Sequence, residues 1–237
     1  GQGGYHAGGG AHDGGDGGSG IIVVRYISGS PLISGGTVTS YTSGSDTYQV
    51  HTWLTGDTRV QHTITANGDV ANSRAQAKIG SSSIKFDGTG DYLSVADSDD
   101  WSFGTGDFTL EAYVRFNDSA GTENLFSQYQ GSSNRWYLSA DLTNNSLGFY
   151  DAGSGMDVEK TVVTWVADTW YHVAMVRNSG TVTYYVNGTA YTITGTNPNG
   201  NITSNTGTLQ IGRYNTGDDL NGYMDDIRIS NSARYTG

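Results

Sequence analysis

The chain contains no cysteine. Disulfides and thiolate metal sites are therefore excluded, and the redox compartment leaves no mark on the sequence. Proline is scarce at 2 residues, and no long run of helix formers occurs, which argues against a helical bundle. Positive charge is also short: 12 basic residues stand against 23 acidic ones, a net charge of −11. A phosphate backbone or an anionic membrane surface would be repelled, so nucleic acid and membrane are set aside as partners. The wholly apolar runs are too short to span a bilayer. With neither a signal peptide nor an initiating methionine, Gly1 is the expected processed or cropped end of something longer.

What the chain does have is glycine, tyrosine and hydroxyl-bearing residues. There are 36 Gly and 16 Tyr among 237 residues, and only 15% of the chain is charged. Many short strands joined by Gly/Asn/Asp/Ser turns are the expected outcome, in one large all-β domain or one domain with a small appendage.

Phe108–Phe116, FTLEAYVRF, alternates without a break. Phe108, Leu110, Ala112, Val114 and Phe116 share one face and Thr109, Glu111, Tyr113 and Arg115 the other, the pattern of a strand with one buried side. Before it lie Ile84–Phe86, the Asp87–Asp91 turn cluster and Tyr92–Val95. After it come short runs at Leu125–Tyr129, Trp136–Ala140 and Ser146–Tyr150, then Lys160–Val166, Thr169–Arg177, Gly207–Gly212 and Gly222–Ser230. Asn187-Gly188 between TVTYYV and TAYTIT predicts a type I′ hairpin. The whole reads as two antiparallel sheets packed as a sandwich.

Three regions follow. Residues 1–20 hold eleven glycines and bury little, the composition of a linker; alternatively, such chains pack closely side by side when identical copies meet. Residues 21–77 hold the apolar strand Ile21–Tyr26, which needs a sheet to join, and a meander of Val38–Tyr41, Tyr48–Leu54 and Val60–Ile64. Residues 78–237 form the main domain. His6, His12, Asp13 and Asp16 are loose metal-ligand candidates that read better as solvated side chains.

SSIKFDGTGDYLSV, GDFTLEAYVRF, TWYHVAMVRNSGTVTYYVNG and LNGYMDDIRISNSARY resemble, in order, the signature segments of LamG-like (concanavalin A-like) jelly-roll domains. The resemblance implies a two-sheet jelly roll whose first and last strands lie side by side. It also implies a choice among sugar-binding modules, adhesive domains and a few hydrolase-associated domains. GGDGGSGIIVVRY and GGTVTSYTSGSDTYQVHTW are similar to glycine-rich segments of phage tail-fibre and appendage proteins. That implies a virion-surface or extracellular homo-oligomer, joined to sibling copies or other virion proteins through its N-terminal segment.

Asp225 alternates with Ile227 and Ile229, which places it on a core-facing register, where a carboxylate needs a cation, a charged partner or backbone donors. The family resemblance implies a structural Ca²⁺ at this aspartate; Asp87, in the turn of the strand expected next door, and Asp226 are the further candidate oxygen ligands. The alternative is that Asp225 caps turn amides while Asp226 pairs with Arg228. Asp97, Asp99, Asp100, Asp218 and Asp219 read as loop charges.

Surface glycans need an aromatic face and hydrogen-bonding neighbours. Trp136, Tyr137, Tyr150, Trp165 and Tyr214, with Asn134, Asp151 and Asn215, are the candidates, while Trp170, His172 and Tyr185 read as packing or inter-strand residues. No E-x-D-x-x-E pattern or G-x-S-x-G elbow occurs. Glu111 reads as an ion pair with Arg115. The expected role is non-enzymatic: a virion-surface structural module that binds glycans or decorates, with a secreted or cell-surface bacterial adhesin as the alternative and a polysaccharide hydrolase third.

Overall fold

The computed structural model describes residues 21–27, 37–43, 46–54 and 62–235. The glycine-rich segment 1–20, with its two histidines, lies outside them. The chain divides into two compact units, Gly1–Gln61 and His62–Gly237.

In the first unit β1 (Ile21–Ile27), β2 (Thr37–Ser43) and β3 (Asp46–Leu54) form an antiparallel sheet in the order β1-β3-β2. The apolar strand β1 therefore finds its partner within its own chain, with Ile21 opposite Leu54 and Ile27 opposite Tyr48. Of the expected meander's third run, Val60–Ile64, residues 60 and 61 lie outside the described residues, and Ile64 opens a strand of the second unit.

The second unit carries the remaining strands: β4 (Ile64–Asn67), β5 (Ala71–Ser73), β6 (Ser83–Asp87), β7 (Tyr92–Val95), β8 (Phe108–Phe116), β9 (Thr122–Gly131), β10 (Asn134–Asp141), β11 (Ser146–Asp151), β12 (Met156–Thr161), β13 (Trp170–Asn178), β14 (Thr181–Val186), β15 (Thr189–Thr192), β16 (Thr194–Thr196), β17 (Leu209–Ile211) and β18 (Asn221–Ser230). They form two antiparallel sheets, one of eight strands in the order β16-β12-β11-β10-β9-β17-β7-β4 and one of seven in the order β15-β14-β13-β8-β18-β6-β5. The first and last strands of the jelly roll, β6 and β18, are neighbours, with Phe86 opposite Gly222. The edge strands β4 and β5 come from the end of the region 21–77 expected to stand apart from the main domain, and the compact unit begins at His62, ahead of residue 78. Among the described residues no helix is long and apolar enough to cross a membrane.

Alternation explains the core. Phe108, Leu110, Ala112, Val114 and Phe116 of β8 are all buried and face Phe126, Trp136, Leu138, Leu147, Phe149 and Val158 of the other sheet. Phe103 stacks on Phe108 at 4.5 Å and lies 6.2 Å from Trp136, bridging the layers. Each such side chain contributes about 1.5–3 kcal/mol by leaving water. Asn187 (φ 50°) and Gly188 (φ 80°) both adopt the left-handed region between β14 and β15, as a I′ turn demands.

The outer face of β8 departs from the expected wet side. Residues 231–235 fold back over it: Thr109 Oγ1 donates to the Ser232 carbonyl at 2.8 Å, and Tyr235 packs on Tyr185 at 5.4 Å. Glu111 thereby becomes buried. Its partners are Arg234 at 2.5 Å, Arg228 at 3.7 Å, His172 at 3.3 Å and the Tyr235 hydroxyl. The expected Glu111–Arg115 pair is not formed, because Arg115 turns to Asp168 at 2.8 Å and lies over Tyr223.

Candidate functional site

Three neighbouring strands of the eight-stranded sheet build a polar groove on its outer face. Because opposed residues on paired strands point the same way, the register alone lays out its rows. Tyr137, Tyr150 and Asp157 are opposite one another across β10, β11 and β12. The next row is Ser139, Gly148 and Glu159, and beyond it Asp141 faces Ser146. Gly148 has no side chain to fill the middle of the second row, so a depression of about 320 Å³ runs between the tyrosines and the carboxylates.

Tyr214, from the turn closed by its bridge to Gly217, leans in from the side. Its ring centroid is 4.6 Å from that of Tyr137, which stacks on Tyr150 at 5.5 Å and 28°. Tyr129 adds an edge contact to Tyr214 at 5.9 Å. Arg135 lies over Tyr150, 5.4 Å from the ring centre. Burial, aided by the neighbouring Tyr214 and Asp157, pushes the Tyr137 hydroxyl above its ordinary range, and burial does the same at Tyr214. The hydroxyls of Tyr137 and Tyr214 thus keep their protons at physiological pH, able to donate and accept.

Asn124, from β9, and Asp218 complete the lining. The Asn124 amide N–H donates to the Asp218 carbonyl at 3.2 Å. Beneath this rim Glu123 accepts the Asn221 N–H at 2.8 Å. Burial, together with Asp118, Asp218 and Asp219, pushes its carboxyl up to about 7 despite that hydrogen bond.

The structure thus brings together Tyr137, Tyr150 and Tyr214 of the residues expected from sequence. It moves others away. Trp136 is fully buried and donates its indole N–H to Gln128 at 2.9 Å; as Tyr137's neighbour on a strand it must face the opposite side. Trp165 is also core, packed edge-on against Tyr171 at 4.9 Å and Phe116 at 5.5 Å. Asp151 is buried and caps the Gly153, Ser154 and Thr203 amides. Asn134 braces the β9–β10 hairpin through Gln130 at 2.7 Å, and Asn215 is a left-handed turn residue at φ 53°.

Sequence reading missed Asn124, Ser139, Asp141, Asp157, Glu159 and Asp218 as lining residues. The signal lay in the alternation of Met156–Thr161, where Met156 and Val158 are buried and Asp157 and Glu159 exposed. The expected strand at Lys160–Val166 starts four residues too late.

The three aspartates proposed for calcium do not converge. A bulge falls between Asp225 and Arg228, where Asp226 is left-handed at φ 44°. It puts Asp225 on the opposite face from Ile227, against the expected register. Both Asp225 oxygens accept backbone N–H groups, from Lys78, Ile79 and Asp226 at 2.8 Å each. Asp226 pairs with Arg228 at 3.3 Å. Asp87 pairs with Asn221, four residues along β18 from Asp225, roughly 13 Å away at the rise of a strand. Its own carboxylate accepts the Thr89 N–H. These residues do not fit a shared cation, and among the described residues no group of three or more His, Asp or Glu is arranged to hold one.

A second opening, of about 370 Å³, lies at the sandwich end between Leu93, Val95, Ile211 and Ile227. It is mainly apolar, with the His62–Asp100 pair at 2.7 Å and Asn231 as its polar members.

Comparison with known proteins bears on this geometry. No curated protein matches the chain in sequence. Domain 4 of AbnA, an extracellular GH43 arabinanase from Geobacillus stearothermophilus, solved with arabinotriose, is similar in structure. Its TM-score is 0.55 at 19% identity, covering 73% of this chain and 82% of that one. The binding domain of botulinum neurotoxin DC in complex with SialylT gives 0.54 at 14% identity, and that of serotype D 0.53 at 12%. Each covers 73% of this chain, which spans only 43% and 44% of theirs. At such identities the likeness is one of fold. Residues 87–236 match the family described as the concanavalin A-like lectin/glucanases superfamily, and the chain belongs to that superfamily.

Proposed function

We propose that the jelly roll is a non-catalytic glycan-binding module and that the groove on its eight-stranded sheet is the binding face. The observation that carries this reading is the Tyr137–Tyr150–Tyr214 platform beside a trough of hydrogen-bonding side chains. Sugar rings offer CH faces for aromatic stacking and hydroxyls for polar groups. An arabinotriose-bound domain among the fold's relatives supports the same chemistry. The eleven glycines of residues 1–20 support a further step, in which copies assemble through the N-terminal segment as part of a virion-surface appendage. Weak single sites then gain avidity. A glycan array probed with the full chain and with Tyr150→Ala tests the site: binding lost in the variant supports it, and binding unchanged removes the groove from consideration. Solution mass tests the assembly.

Hydrolysis is a second reading, favoured by one observation. Asp157 and Glu159 project two residues apart on β12 toward the same groove, a spacing compatible with paired catalytic carboxylates. Turnover of a bound polysaccharide that vanishes in Glu159→Gln would establish it.

A further inference from the structure

The groove's charge is one-sided. Asp141, Asp157, Glu159 and Asp218 line it, and among the described residues no lysine, arginine or histidine does. An ionised carboxylate only accepts. Asn124, 1% exposed, adds a further acceptor: its Oδ1 has no hydrogen-bond partner among the described residues, while its Nδ2 is turned to the Asp218 carbonyl at 3.5 Å. A buried acceptor left without a donor is costly unless something brings one. Arg135 lies over Tyr150 at one end of the platform and donates to the Ser132 carbonyl.

Such a site suits a ligand that donates. Sugar hydroxyls donate freely, whereas a carboxylate or sulfate brings only acceptors and a like charge into a trough already holding four carboxylates. Resting on the glycan reading above, we propose that the groove selects neutral, hydroxyl-rich sugar chains and turns away sialylated, sulfated and uronate-bearing ones.

The test uses the unaltered full chain on an array carrying neutral glycans beside their charged counterparts. Calorimetry at low salt follows on two matched pairs, lactose with sialyllactose and galactotriose with trigalacturonate. The neutral member of each pair that binds is expected to bind about tenfold or more tightly, with a gap that narrows as salt screens the carboxylates. In Asp157→Asn/Glu159→Gln the ratio of charged to neutral binding should rise at least severalfold, whatever the variant costs the neutral member; an unchanged ratio would overturn the role given to these carboxylates. Equal or tighter binding of the charged member by the unaltered chain overturns the selectivity and leaves glycan binding standing, and loss of that binding in Arg135→Gln would identify the cation responsible. No hit on either arm of the array overturns both.

Discussion

Tyr137 and Tyr150 stand opposite each other on β10 and β11, their rings stacked with centroids 5.5 Å apart and planes inclined at 28°. Neither is needed to hold the sheets together, because both lie on the face away from the core. Replacing either by alanine should weaken glycan binding about tenfold, or roughly 1.4 kcal/mol, and leave the thermal midpoint within a few degrees. Calorimetry and a melt on the same samples check both halves.

Gly148 gives a sharper test of the groove. A Cβ there would meet Ser139 Oγ at 3.8 Å and the Val158 carbonyl at 3.9 Å, ordinary contacts. Gly148→Val should therefore fold, yet its side chain would fill the floor between the tyrosines and Glu159. Binding is expected to disappear while circular dichroism and the melt remain those of the parent. Retained binding would relocate the site.

Glu123 predicts a pH dependence. Its carboxyl holds its proton up to about 7 in the folded chain, against 4.5 ordinarily. Between these values the folded state binds the proton and the unfolded state does not, so stability falls as pH rises through that window. The loss is on the order of 1–3 kcal/mol. Glu123→Gln should remove this slope and be more stable than the parent at pH 8, as urea titrations across pH 4.5–8 would show.

Glu111 works with the opposite sign. Burial disfavours its charge, but hydrogen bonds from His172 and Tyr235 and the Arg234 and Arg228 guanidinia outweigh that and hold the carboxyl below its usual 4.5. Its contribution is fully present above that value and is lost as pH falls through the lower folded one. Glu111→Gln should cost about 1–3 kcal/mol at pH 7, and less in strong acid. It should also loosen residues 231–235, measurable as faster amide exchange.

Asp225 separates capping from metal binding. It serves three backbone N–H groups, so Asp225→Ala should cost about 1–2 kcal/mol. Adding calcium or a chelator should leave the parent's melting temperature unchanged; a clear upward shift with calcium would restore the cation.

The fold was legible because its signals are local and repeated. Alternation in FTLEAYVRF placed five buried residues correctly, and Asn187-Gly188 marked its hairpin. The site was half legible. Aromatic residues announce themselves, so Tyr137, Tyr150 and Tyr214 were found. Trp136 was named beside Tyr137 although adjacent strand residues cannot share a face. Asp157 and Glu159 escape because the sequence reads as a strand at Lys160–Val166, whereas β12 spans Met156–Thr161. The Asp225–Asp226 bulge inverts a register that alternation alone extends unbroken, and no residue type announces an inversion. The burial of Glu111 depends on a tail more than a hundred residues away, beyond any local pattern.

The position of β18 between β8 and β6 has a consequence for biosynthesis. A chain still emerging from the ribosome would hold both flanking strands in reach of each other but lack the one that separates them. Closure of the seven-stranded sheet must wait for residue 230, and until then two unpaired edges stand exposed to neighbouring chains.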